Sequence, residues 1–268
     1  MSDWICSNAS LPGITPDDRS FAYGDGLFET VAIRRGRARF WQFHCERLLL
    51  GCMRLNIPAP TQTELQHALN HALASQPGAD GTFKLLLTRG EGPRGYRPPA
   101  SPVPQLWHRF WPEEFSEEDS SVELEFAGLN LARQTALAGM KHVNRLEQVL
   151  GGKNTPEVLF CDAHQNVVCG RMSNVFFVLE ESLCTPGLSH AGVAGVARRA
   201  VLQVAHASGV EVKVGDFSVS QVRTAEELFI CNSRYLIRPV IALAGRKLAL
   251  GSRTRQLAAG VQQLAESL

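Results

Sequence analysis

Residues 88–104 read TRGEGPRGYRPPASPVP, and Gly90–Gly95 within them fit the spacing G-x-G-x-x-G. How this stretch is read decides the fold. An apolar run, TFKLLLT (82–88), precedes it as a strand would. A dinucleotide-binding turn must also open a helix, because the helix N-terminus holds the pyrophosphate. Here YRPPASP follows, and Pro98, Pro99 and Pro102 forbid a helix in that space. The nucleotide-binding reading is therefore rejected. The glycines are read as a flexible loop presenting Arg94 and Tyr96, with an ordinary surface loop as the alternative.

Outward from this loop the pattern is mixed. FETVAIRRGRARF (28–40) alternates around a charged turn with Gly36 at its tip and predicts a hairpin. WQFHCERLLLGCMRLNI (41–57) predicts a helix ending before Pro58. TQTELQHALNHALAS (61–75) predicts a second, opened by Thr61 or Thr63 with Glu64 in its first turn. TFKLLLTRG (82–90) and PQLWHRFW (104–111) are strands on either side of the loop. PEEFSEEDSS (112–121) is acidic, lacks a helical period and reads as a linker, dividing the chain into domains 1–114 and 115–268.

The second half starts with a predicted strand, VELEFAGLNLA (122–132). KHVNRLEQVL (141–150) has helical spacing at Val143, Leu146 and Val149 or Leu150. VLFCD (158–162) and VVC…NVFFVLE (167–180) predict a strand pair around the turn DAHQN. GVARRAVLQVAHASG (195–209) predicts a helix stopped by Gly209. ELFICNS (227–233) and IRPVIALAG (237–245) are strands, and TRQLAAGVQQLAESL (254–268) is a closing helix. No internal repeat and no regular βαβ alternation is present, so the expected class is α+β.

Composition bounds the function. The 268 residues are 44% hydrophobic and 20% charged with net charge +1, the balance of a globular protein. No run of one charge suggests a nucleic-acid footprint or a membrane patch. No apolar stretch reaches the roughly 18 residues of a membrane span, and MSDWICSNAS does not resemble a signal peptide. Seven irregularly spaced cysteines without C-x-x-C fit a reduced, cytoplasmic chain rather than a disulfide framework or zinc site.

Four motifs carry chemistry in principle. His67 and His71 lie four apart on a helix, but Ala68 stands where a zinc protease needs glutamate, so no metal is expected. AGVAGVARR (191–199) brings small residues to a helix start, which suits a phosphate or merely a tight connection. Lys141, in LAGMKHVN, sits among small and apolar residues, where a desolvated amine becomes a nucleophile and base; a solvated lysine is the alternative. VVCGRMSNVFF (167–177) interrupts two strand-like flanks with Cys-Gly-Arg-Met-Ser-Asn. Cys169 is either functional there or a small buried filler, with Arg171 directed to solvent.

These signals fall in the order of one known pattern. DRSFAYGDGLFETVAI, FHCERLLLGCMRL, TRGEGPRGY, LAGMKHVNRLEQVL, SNVFFV, CTPGLSHAGVAGVARR and ELFICNS span nearly the whole chain. Together they resemble the fold-type IV pyridoxal-phosphate (PLP) enzymes, which include branched-chain and D-amino-acid aminotransferases and 4-amino-4-deoxychorismate lyases. RGEGPRGY with KHVNRLEQVL is most similar to the lyases. The resemblance implies a two-domain fold with the cofactor between domains, a homodimer, and a small-molecule substrate rather than nucleic acid or membrane. It implies that Lys141 forms the Schiff base and that Arg47 reaches the cofactor phosphate. Val196 and Ala197 match helix-start residues whose N–H groups hold that phosphate, and Asn232 and Ser233 border it. Thr30 matches a threonine that handles a proton during elimination. Arg94 and Tyr96 fall in the loop near the substrate carboxylates.

The chain departs from the family pattern twice. The family has Glu, four residues, then Asn, and the glutamate pairs with the cofactor's pyridine nitrogen. Here the Asn is Asn174 and Cys169 stands at the glutamate position, with Arg171 in place of a small residue. The segment between Lys141 and Cys169 is shorter than usual by about one helical turn, so the helix after Lys141 should end near Gly151-Gly152. The expected activity is conversion of 4-amino-4-deoxychorismate to 4-aminobenzoate and pyruvate. The alternatives are an aminotransferase of the same fold and a degenerate, non-catalytic relative.

Overall fold

A computed structural model describes residues 4–7, 13–114, 121–152 and 155–267. The acidic core of the expected linker, residues 115–120, lies outside the described residues. The chain divides into two compact units, one of residues 1–116 with 140–144 and one of residues 117–139 with 145–268.

The first unit contains β1 (Ile5–Cys6), α1 (Arg19–Tyr23), β2 (Gly26–Arg34), β3 (Arg37–Ala38), α2 (Trp41–Leu55), α3 (Gln62–Ser75), β4 (Gly81–Thr88) and β5 (Gln105–Pro112). Its strands form one antiparallel sheet in the order β1-β5-β4-β2-β3. Side chains alternate across a strand. Leu27, Val31 and Ile33 of β2, Phe83, Leu85 and Leu87 of β4, and Leu106 and Phe110 of β5 therefore share one face. They pack on Cys45, Leu48 and Cys52 of α2 and Leu65, Leu69 and Ala72 of α3. The alternate positions Phe28 and Thr30, Lys84 and Leu86, and Arg109 fall on the opposite face. Thr30, Lys84 and Arg109 are cross-strand neighbours there. Of the two candidate caps for α3, Thr61 is the one used. It accepts from Glu64 N at 3.2 Å while the Glu64 carboxylate accepts from Thr61 N at 2.7 Å, a reciprocal capping box.

The segment around Lys141 corrects one expectation. Residues 141–145 are not helical. They run beside the start of β2, with Phe28 N donating to Lys141 O and Val143 N to Gly26 O, each at 3.0 Å. These backbone bonds outweigh the helical spacing, and the helix, α4 (Leu146–Gly151), starts five residues after Lys141. It ends at Gly151 as the shortened segment predicted. Leu146 and Val149 are 67% and 59% exposed, so that spacing marked no face of the described core.

The second unit also holds β6 (Val122–Leu124), β7 (Leu159–Cys161), β8 (Val167–Gly170), β9 (Asn174–Leu179), β10 (Ser182–Pro186), α5 (Val196–Ala207), β11 (Val212–Gly215), α6 (Val219–Val222), β12 (Glu227–Asn232), β13 (Leu236–Leu243), β14 (Arg246–Lys247) and α7 (Ser252–Ser267). The main sheet runs β11-β10-β9-β12-β13-β14, with β6 beside β13. The long strand expected over 122–132 shrinks to β6, since beyond it only Phe126 and Leu131 make isolated bridges. β7 and β8 form the pair expected around DAHQN, whereas β9 leaves it for the main sheet. The core joins Val175, Phe177, Leu228, Ile230, Val240 and Leu243. Among the described residues no helix is long and apolar enough to cross a membrane.

Candidate active site

In the first unit, chemistry gathers on β2 and the elements beside it. The Lys141 ammonium lies 4.3 Å from the centre of the Phe28 ring, and the Lys84 ammonium lies 5.2 Å from the same ring. Both are within cation–π range. Burial pushes the Lys84 amine below its usual value. Thr30 is the cross-strand neighbour of Lys84 and shares its face of the sheet with Phe28.

Glu29 takes the other face. It is 1% exposed among the core-facing positions of β2. Arg47, one face-turn along α2, grips it with both arms of its fork: Nε donates to Oε1 at 2.8 Å and Nη2 to Oε2. His44 Nδ1 donates to Oε2 at 2.6 Å. Burial alone would raise the Glu29 carboxyl, but Arg47 and His44 outweigh burial and hold it at about 2. His44 is itself pushed down by burial more than Glu29 lifts it. Among the described residues its buried Nε2 has no hydrogen-bond partner.

Arg94 and Tyr96 are exposed, Tyr96 by 85%. Their loop is nevertheless tied down, since Arg19 donates to the carbonyls of Gly95, Tyr96 and Arg97. His67 is exposed, and His71 faces His108 across 3.4 Å. Among the described residues no group of three or more His, Cys, Asp or Glu is placed to hold a metal.

In the second unit the start of α5 is built for close approach. Gly195 caps it without a side chain, so the cap residue offers no side-chain acceptor to the first-turn N–H groups, Val196 and Ala197 among them. Asn174 braces this turn. Its Oδ1 accepts from Gly195 N at 3.0 Å and its Nδ2 donates to Val193 O at 2.9 Å. A β-carbon at position 195 would overlap Asn174 Oδ1, so any other residue must displace that amide or the turn. Gly139 N donates to Gly192 O at 2.9 Å and Gly139 O accepts from Ala194 N at 3.0 Å, fixing the same turn from its other side. Asn232 folds the β12–β13 connection by accepting from Arg234 N at 2.9 Å and Tyr235 N at 3.1 Å, with Ser233 between.

The break between β8 and β9 has two halves. Cys169 is 5% exposed and packs with Leu131, Val158, Phe160, Val168 and Ala191. Burial first, then the Glu157 charge, push its thiol up to about 12, so it is neutral. Arg171, for which a solvent position was left open, is instead a helix cap. Its Nε donates to Gln148 O, and its Nη1 to Gly152 O and Thr155 O, all at 3.1 Å. The cation meets the carbonyl end of α4.

Sequence reasoning named Lys141, Thr30 and Arg47 but missed Glu29, His44 and Lys84. Their signals were present: Glu29 shares strand parity with Leu27, Val31 and Ile33, and Lys84 interrupts the apolar run of β4.

The chain is similar to known proteins along nearly its whole length. The profile of the family described as Amino-transferase class IV matches residues 26–243. Aminodeoxychorismate lyase of Vibrio harveyi is 35% identical, over 90% of this chain and 92% of that protein. The D-alanine aminotransferase of Listeria monocytogenes is 26% identical, over 88% of this chain and 84% of that protein. The crystal structure of 4-amino-4-deoxychorismate lyase from Pseudomonas aeruginosa superposes with a TM-score of 0.90 at 39% identity, covering 97% of this chain and 98% of that one. The expected α+β class and fold-type IV architecture hold. With the profile spanning most of its length, the chain belongs to the class IV amino-transferase family.

Proposed function

We propose that the protein is a lyase that converts 4-amino-4-deoxychorismate to 4-aminobenzoate and pyruvate, a step toward folate. Its cofactor is pyridoxal 5'-phosphate. The residues present fit that group. Lys141 supplies the amine for its aldehyde. In the second unit the start of α5 suits a phosphate; in the first unit the Arg47 guanidinium does too, beside His44, whose buried Nε2 has no partner among the described residues. We assign Asn174 and Asn232 to shaping this phosphate site and Cys169 to the ring nitrogen.

When bound, the cofactor would supply an electron sink for the amine-bearing carbon of the substrate. Lys141 takes the proton from that carbon as general base. The bond from the ring to the enolpyruvyl oxygen breaks, and the released fragment takes a proton through Thr30 to become pyruvate. The ring gains aromaticity, and no oxidant is consumed. We assign Lys84 and Arg94 to the two substrate carboxylates, with Tyr96 beside them.

Lys84 is the observation that carries this reading. It is a half-buried cation with a lowered pKa, in register with Thr30 and sharing the Phe28 ring with Lys141. A dianionic substrate supplies the counter-charge that such a lysine needs. The Listeria relative favours a second reading, amino transfer. The neutral Cys169 thiol opposes it, because transamination relies on a strongly electron-withdrawing, protonated ring. Six buried thiols fit the reducing cytoplasm, and we assign the working unit as a homodimer.

The test is to supply aminodeoxychorismate to the PLP-loaded protein and measure fluorescent 4-aminobenzoate and pyruvate in equal amounts. No product, together with conversion of D-alanine and a 2-oxo acid, would overturn the lyase reading.

A further inference from the structure

We propose that Arg19 is a positioning residue that sets substrate affinity by holding the closed shape of the Gly90–Arg97 loop. The proposal rests on the assignment of that loop to the substrate.

Arg19 opens α1, yet its side chain is almost wholly buried at 3% exposure. A buried guanidinium needs a counter-charge and partners for its donors. Asp25 supplies the charge, accepting from Nε at 2.9 Å. The remaining donors go to three consecutive carbonyls. Nη1 reaches Gly95 O at 3.0 Å and Arg97 O at 3.4 Å, and Nη2 reaches Tyr96 O at 2.9 Å. Carbonyls of adjacent residues converge on one cation only if the backbone wraps around it. Gly95, with φ of +100°, makes that turn possible.

Four further contacts close the clamp. The Arg19 N–H donates to Gly90 O at 3.0 Å, so one residue holds both ends of the loop. Tyr23, one turn along α1, accepts from Gly95 N at 3.2 Å and meets the Tyr96 ring edge-on at 5.4 Å. The Arg19 guanidinium also lies 4.9 Å from the centre of the Tyr23 ring. Arg19 is itself anchored, since Asp25 is also gripped by Arg89 at 2.7 and 2.9 Å. Arg89 donates in turn to Leu55 O and Asn56 O at the end of α2. The cationic head of Arg94 is therefore carried on a backbone whose path is set from beneath by a residue that does not itself reach solvent.

A surface loop without such an anchor would sample many shapes, and a substrate would have to select one. Loss of the clamp should raise KM and leave the proton-transfer step and cofactor affinity untouched. Limited trypsin digestion gives a readout independent of the reaction. The Arg94–Gly95 bond is cleavable once the loop opens, whereas Arg97–Pro98 resists trypsin.

The variants are Arg19→Gln, Arg19→Lys and, as a milder change that leaves the buried charges in place, Tyr23→Phe. Losing hydrogen bonds from a charged donor corresponds to roughly tenfold to a hundredfold in equilibrium terms. Arg19→Gln should speed cleavage at Arg94 at least tenfold and raise KM by about that range. Its kcat should stay within about threefold, and its visible spectrum and PLP affinity should be unchanged. Arg19→Lys keeps the charge beside Asp25 but not the fork, and should fall between. Tyr23→Phe should shift both readouts slightly in the same direction. Unchanged cleavage at Arg94 in the folded variants overturns the clamp. Faster cleavage with unchanged KM overturns the link to substrate. A wild-type protein that makes no 4-aminobenzoate overturns the proposed function instead, and the digestion still reads the clamp.

Discussion

Arg47 has two duties, and they can be separated. It is assigned to the cofactor phosphate, and it also neutralises Glu29, a carboxylate only 1% exposed. Arg47→Ala removes both functions. Breaking a buried ion pair from one side costs about 3–5 kcal/mol, because the remaining charge is left uncompensated. At about 2–4 °C per kcal/mol for a chain of this size, the melting midpoint should fall by roughly 6–20 °C. The double variant Glu29→Gln/Arg47→Ala removes the stranded charge and keeps an acceptor for His44 Nδ1. It should recover most of the lost stability without recovering cofactor affinity. Both variants should bind PLP about ten- to a hundredfold more weakly than the wild type. The assays are thermal melts of the cofactor-free proteins and titration of the visible band. The pH dependence has a definite sign. The Glu29 carboxyl is held at about 2, below its ordinary 4.5, so its stabilisation is complete above 4.5 and lost as pH falls toward 2. Without Arg47 the carboxyl rises, so the gap between Arg47→Ala and wild type should narrow in acid. An Arg47→Ala protein that melts with the wild type, or a double variant that melts no higher than the single, would refute the reasoning.

Three other perturbations test separate parts of the site. Lys84→Met should raise KM for the dianionic substrate by roughly ten- to a hundredfold and leave PLP affinity intact, and an unchanged KM removes Lys84 from the substrate site. Gly195→Ala must displace Asn174 or the turn before α5. It should cost about 1–3 kcal/mol from the broken Asn174 bond and weaken PLP binding about tenfold, whereas wild-type affinity would show that this turn does not hold the phosphate. Cys169→Glu should keep or improve PLP binding and raise any transaminase side activity; an unchanged spectrum and side activity would detach Cys169 from the ring nitrogen.

What was legible in the sequence was what repeats or punctuates. Alternation gave β2, an apolar run gave β4, Pro58 and Gly209 marked the ends of α2 and α5, and Pro98, Pro99 and Pro102 excluded the helix that a nucleotide site requires. What was not legible depended on partners far along the chain. The spacing of Leu146, Val149 and Leu150 extended naturally back to Val143, but the backbone from Lys141 to Val143 is bound to β2, more than 100 residues earlier, as in the bond of Val143 N to Gly26 O at 3.0 Å. Glu29 sits at the apolar parity of β2, and only the fold brings Arg47 and His44 beside it. A carboxylate belongs in a core only beside its cations, and no local pattern shows them.

The departures from the family pattern also change meaning in the structure. The shortened segment after Lys141 and the arginine at 171 look like separate oddities in the sequence, yet they form one feature. A helix that stops at Gly151 exposes carbonyls early, and Arg171 reaches them with its fork. Gly152 belongs to the same adjustment, because a β-carbon there would stand 2.7 Å from the Arg171 side chain. Meanwhile the Glu157 carboxylate accepts from the backbone N–H groups of Arg171 and Met172, holding the β8–β9 turn from below. The lost helical turn is thus closed locally, within the second unit, and does not by itself imply a lost activity. Cys169 stands apart from this repair, in an apolar cluster of Leu131, Val158, Phe160, Val168 and Ala191. On the proposed assignment to the ring nitrogen, its neutral thiol is the departure that would bear on chemistry. An elimination that gains an aromatic ring can run with a weaker electron sink than amino transfer needs, and this difference ties Cys169 to the lyase reading.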